Sequence, residues 1–239
     1  MKIDILAIGA HPDDIELSAA GTILKHIEKG YTVGICDLTR GELGTRGNAA
    51  LRLTEAEEAK KVLGVKFRLN TRMNDGFFEH NEVNMISIIQ VIREYQPEIV
   101  LANAISDRHP DHGRASKLIS DACFYSGLIK INTKDSNQKN QNPWRPKAVY
   151  HYIQDRNLKA DLVVDISSFM DKKIEAIMTF RSQFFDPEST EPTTPISSKS
   201  YIEYIMAKNR AYGRDIGVEY AEAFTVERNI GVNNLFDLI

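Results

Sequence analysis

Short apolar runs alternate with stretches of helical periodicity through the first half of this chain, and that alternation limits the fold more than any other feature. Ile3 to Ile8 is a β-branched run, after which Ile15, Ala19, Ile23, Leu24 and Ile27 recur at the spacing of one helix face. Gly30 follows, suited to the left-handed residue that commonly ends a helix. Thr32 to Leu38, Val65 to Leu69 and Glu98 to Ala102 read as further strands. Between them, Ala49 to Leu63 and the stretch carrying Met85, Ile88, Ile89 and Ile92 read as helices, the second ended before Pro97. Crossovers of this length predict an α/β fold, a mostly parallel sheet with helices on both faces.

The second half is less regular. His112 to Leu128 reads as a helix, Asn132 to Arg145 as a polar surface loop, and Ala148 to Ile153 and Leu162 to Ile166 as strands. Met170 to Phe180 is expected to be helical, with Ser167 or Ser168 as its cap. Phe184 to Ser200, with Pro187, Pro192 and Pro195, is expected to run irregularly over the surface, before a helix from Lys199 to Tyr212 and an extended stretch at Tyr220 to Phe224. At 239 residues, 42% hydrophobic and 26% charged, the chain is expected to fold as one domain spanning 1–239. A net charge of −3 without a lysine-rich arm argues against nucleic acid. No apolar run approaches the roughly 20 residues of a membrane span. Met1 to Ile8 contains Asp4 and is not expected to be a signal peptide. Cys36 and Cys123 lie in apolar surroundings without paired spacing; buried thiols and a cytoplasmic location are the expectation.

Two turns carry the chemistry. Ala10-His11-Pro12-Asp13-Asp14 follows the first apolar run, and Asp107-Arg108-His109-Pro110-Asp111-His112 follows the fourth. Parallel sheets collect ligands at the carboxyl ends of their strands, so both turns face one edge. His11, Asp14 and His112 form a ligand set of two imidazoles and one carboxylate suited to catalytic zinc with a position left for water. Zinc brings the pKa of such a water to about 7. Asp13, adjacent but pointing elsewhere, is the candidate general base. His109 is the candidate charged donor to a substrate oxygen, with Asp111 or Asp107 orienting its ring. The loop Gly41 to Gly47 lacks the endings of known phosphate loops and reads as a rim of the site. Arg52 either reaches the pocket or pairs with Glu55, and Tyr201 either faces the cleft or packs. His80 and His151 have no partner visible in sequence.

With these residues in hand, the chain resembles the zinc-dependent N-acetylglucosaminyl deacetylases of the LmbE/PIG-L family. The resemblance rests on the two turns and on Tyr220-Ala221-Glu222-Ala223-Phe224. Within the family it is most similar to the bacillithiol-pathway deacetylases, through Gly34 to Thr39 and Arg40 to Gly47. The resemblance implies a Rossmann-like sheet, one zinc ion on His11, Asp14 and His112, Asp13 as base and His109 as charged stabiliser. It places Arg52 and Tyr201 at substrate-contacting positions, with Tyr204 the near alternative to Tyr201. Arg108 joins Arg40, Arg46 and Arg52 as a candidate for holding an acidic substrate group. The implied substrate is the small molecule N-acetylglucosaminyl malate; other N-acetyl sugars and a non-catalytic sugar-binding role are the alternatives. Association into a homo-oligomer is expected, with neither membrane nor nucleic acid as partner.

Overall fold

The computed structural model describes residues 1–238. Seven strands form one sheet in the order β3-β2-β1-β4-β5-β7-β6. β1 (Ile5–Gly9) pairs in parallel with β2 (Val33–Thr39) on one side and β4 (Ile99–Ala102) on the other. β3 (Phe67–Met73) and β5 (Ala148–Tyr152) extend the parallel part outward. β7 (Ala221–Val226) then runs antiparallel between β5 and β6 (Leu162–Asp165). The chain moves from β1 toward β2 on one side and returns to β4 on the other. The crevice between the ends of β1 and β4 is therefore the switch point where such sheets bind ligands.

Helices cover both faces. Leu6, Ile8, Cys36, Leu38 and Val100 point to one face and meet Ile88, Ile89 and Ile92 of α3 (Glu82–Tyr95) and Ala115, Leu118 and Ile119 of α4 (Pro110–Tyr125). Ile5, Ala7, Val33, Ile35 and Leu101 point the other way. They meet α1 (Asp14–Glu28), α2 (Ala49–Leu63) and α5 (Met170–Met178). The alternation along each strand is what splits the residues between the two layers. Asn48 and Asn81 cap α2 and α3 by accepting the Leu51 and Asn84 amides, each at 3.0 Å. α6 (Lys199–Asp215) packs against β7 and against a third cluster containing Phe180 and Phe184.

Two expectations need correction. β3 starts later than Val65 and runs on to Met73, because the polar Arg68, Asn70 and Arg72 disguise the strand; the Arg68 and Asn70 side chains have partners, Asp37 and the Thr39 carbonyl. A 3-10 turn at Ser167–Phe169 precedes α5, so neither Ser167 nor Ser168 caps it; Ser167 instead binds Asp165 through both amide and hydroxyl. Phe184 to Ser200 runs irregularly and mostly exposed, as expected, with the fully buried Phe184 pinning its start.

Candidate metal and catalytic site

The first turn is fixed to the second strand of the crevice by protein groups alone. The Ala10 amide donates to Asn103 Oδ1 at 2.9 Å, and Asn103, just past β4, donates from Nδ2 to Asp14 Oδ2 at 2.9 Å. Asp14 Oδ2 also accepts the His11 amide at 2.9 Å, and Oδ1 accepts Gln154 Nε2 at 3.0 Å. Asp14 Oδ1 lies 3.1 Å from His112 Nε2, and Oδ2 lies 3.7 Å from His11 Nδ1. One carboxylate thus faces both imidazoles. Burial opposes its charge, but His112 and His11 hold Asp14 well below the usual carboxylate range.

The outer nitrogens of the two rings are held by other carboxylates. His112 Nδ1 meets Asp107 Oδ2 at 2.5 Å; His11 Nε2 meets Asp75 Oδ1 at 3.0 Å and Asp111 Oδ2 at 3.3 Å. Burial works against protonation of both rings, yet Asp14 and Asp107 push His112 up to about 9, and Asp111, Asp14 and Asp75 push His11 well above the ordinary histidine value. Pro110 opens α4, and His109 caps it by accepting the Asp111 amide at Nδ1, 3.2 Å away. That bond leaves the proton of a neutral His109 ring on Nε2. Burial, helped by the neighbouring His11 and His112, lowers its pKa. Asp111 and Asp107 orient His11 and His112 rather than His109.

Two donor groups share His11. The nitrogens of His11, His109 and His112 lie within 4.8 Å of one another, as do the donor atoms of His11, Asp75 and Asp111. Buried imidazoles that share protons with several aspartates suit a divalent cation, which replaces those protons and balances the surplus carboxylates. The donor set fits.

Asp13 takes the left-handed backbone region at φ 116°, where a non-glycine residue is strained by about 1–3 kcal/mol. Its carboxylate is held by Arg52 Nη2 at 2.9 Å, and the same guanidinium donates to the Pro12 carbonyl. Burial drives Asp13 up to about 7 against the pull of Arg52. Arg52 thus reaches the site, while Glu55 accepts the Ser182 amide and hydroxyl instead. Gly41, at φ 64°, lets the loop cross directly over Arg52; a Cβ there would lie 2.6 Å from its guanidinium.

A cavity of about 350 Å³ opens on these groups, with His11, Asp13, Asp14, His109 and His112 in its wall. Leu43 to Thr45 line it as the expected rim. Tyr201 also lines it, stacked on Phe184 at 6.2 Å, and burial raises its hydroxyl's pKa so that it stays protonated. Tyr204 turns its hydroxyl to the Asp155 carbonyl at 2.6 Å. Arg108 stands half-exposed at the rim, paired with Asp155 at 2.5 Å. Arg46 is committed elsewhere, to Phe184 O, Ser189 and Glu191. Asp75, Asn103 and Gln154 do not stand out in the sequence. Only Asp75 leaves a signal there, in its position just beyond a strand whose end the apolar pattern places too early.

Fold and site together define an α/β protein whose mostly parallel sheet carries a His/Asp-lined cavity at its switch point. Comparison with known proteins narrows that class. The PIG-L family model, described as GlcNAc-PI de-N-acetylase, matches residues 6–123. Diacetylchitobiose deacetylase of Thermococcus kodakarensis is 31% identical over 230 residues, covering 91% of this chain and 80% of the relative. The probable N-acetyl-alpha-D-glucosaminyl L-malate deacetylase 2 of Bacillus anthracis is 24% identical, covering 75% and 81%. The crystal structure of the conserved protein TT1542 from Thermus thermophilus superposes with a TM-score of 0.83 at 32% identity, covering 97% and 98%. The chain belongs to the PIG-L family of deacetylases.

Proposed function

We propose that the protein is a zinc-dependent amide hydrolase that removes the acetyl group from an N-acetylglucosaminyl conjugate, N-acetylglucosaminyl malate being the substrate we favour. The observation that carries this reading is the separation of two adjacent carboxylates. Asp14 faces the imidazoles of His11 and His112, while Asp13 turns away to Arg52 beside the same cavity. His11, Asp14 and His112 would hold the ion. When bound, a divalent cation polarises the amide carbonyl and acidifies water.

The chain's own groups account for the proton movements. Asp13, buried and steered by Arg52, accepts the proton of the attacking water. His109, its Nδ1 engaged by the Asp111 amide, offers Nε2–H as a hydrogen bond to the developing oxyanion, and the proton taken up by Asp13 passes to the leaving nitrogen as the C–N bond breaks. Tyr201, which also lines the cavity, is a second donor to that oxygen. The glucosaminyl reading is supported by family membership and by the deacetylase relatives. The malate aglycone is supported by the Bacillus anthracis relative.

The test is acetate release from N-acetylglucosamine carried on malate, on inositol and on a second N-acetylglucosamine. The malate conjugate should be hydrolysed with the highest kcat/KM. A faster disaccharide would move the substrate assignment to chitin fragments.

A further inference from the structure

The cavity continues past the histidines along α6. Tyr201, Ile205, Lys208 and Tyr212 line it from positions i, i+4, i+7 and i+11, one face of the helix. Lys208 is only 9% exposed, and its ammonium has no hydrogen-bond partner. The nearest ring, that of Tyr204, is centred 6.0 Å away, the outer limit of a cation–π contact.

The charges around Lys208 are already committed. Asp107 is bonded to His112 and to the Arg156 amide, Asp155 is paired with Arg108, and Lys173 is neutralised by Glu222 at 2.6 Å. Among the described residues lining the cavity, Lys208 is the one whose charged group is left without a partner. A buried ammonium without an acceptor is costly, and a flexible four-carbon stem lets it swing to a ligand. Lys208 stands seven residues beyond Tyr201 on the helix, roughly 10 Å along its axis.

We propose that Lys208 forms an anion subsite that takes a carboxylate on the aglycone of the substrate. The inference rests on the deacetylase reading above and adds to it the residue that selects an acidic conjugate over a neutral one.

The test compares N-acetylglucosaminyl malate with methyl N-acetylglucosaminide on metal-loaded wild type, Lys208→Met and Lys208→Arg. Wild type should favour the malate conjugate. Lys208→Met should shrink that preference in kcat/KM about 10- to 100-fold, the usual loss of a charge-assisted hydrogen bond, chiefly through KM. Lys208→Arg should restore part of it. No preference in wild type, or equal losses on both substrates in Lys208→Met, would overturn the subsite. Metal content and thermal unfolding of each variant separate misfolding from lost recognition, and Lys208→Gln replaces any variant that does not fold.

A calorimetric titration with L-malate alone is independent of turnover. Binding by wild type that weakens tenfold or more in Lys208→Met supports the subsite even if neither conjugate is hydrolysed, in which case it is the deacetylase reading that fails. Malate binding indifferent to Lys208 overturns the subsite whatever the turnover.

Discussion

Asp13 and Asp14 are neighbours in sequence and opposites in surroundings. Asp14 lies between two imidazoles, whereas Asp13 is turned by its left-handed backbone to meet Arg52. Asp13→Asn should keep its metal and lose turnover by about 10²- to 10⁴-fold, the contribution of a positioned general base. Asp14→Asn should lose metal. Metal analysis alongside acetate release checks both, and reversed phenotypes would contradict the roles given to them. The sequence shows these residues because a His-x-x-Asp turn after a strand is a local pattern. It cannot show Asn103 and Gln154, whose amides reach Asp14 from 89 and 140 residues away. His80 and His151 are equally opaque, since their partners Asp121 and Glu227 come from other elements.

β7 is an element whose motif is legible in the sequence and whose work is not. Glu222, in the middle of Tyr220 to Phe224, accepts the amides of Gly21 and Thr22 and pairs with Lys173, tying α1 and α5 to the antiparallel end of the sheet. Glu222→Ala should destabilise the fold by about 3–5 kcal/mol, because it strands a buried ammonium. Denaturant unfolding measures this, and a loss below about 1 kcal/mol would show that the pair is not structural. β3 shows the opposite failure. Its apolar start is visible, but Arg68, bonded to Asp37 and Glu16 inside the protein, makes its continuation look like loop. Misplacing the end of β3 also hides Asp75, which lies just beyond Met73 and meets His11 at 3.0 Å. α2 is better served: it spans Ala49–Leu63, the bounds read for it in the sequence.

For the whole molecule, the alternation of strands and helices is enough to give the sheet, and the positions of the two His/Asp turns are enough to give its active edge. The antiparallel insertion of β7 is not legible, because strand order past β5 depends on packing against α1, α5 and α6 rather than on local pattern. Cys36 and Cys123 are both buried within the layer covered by α3 and α4, and burial pushes both thiols up. Neither should react with a thiol reagent until the protein unfolds; labelling followed by mass spectrometry checks this, and rapid native labelling would contradict the packing. Among the described residues no helix is long and apolar enough to cross a membrane. If the His/Asp cluster at the switch point holds a metal ion required for amide hydrolysis, as proposed above, chelation must silence the protein. The most direct measurement is free acetate released from N-acetylglucosaminyl malate before chelation, after chelation and after zinc is returned. Release should be abolished by chelation and restored by zinc. Undiminished release from metal-free protein, or none from zinc-loaded protein, would contradict the proposal.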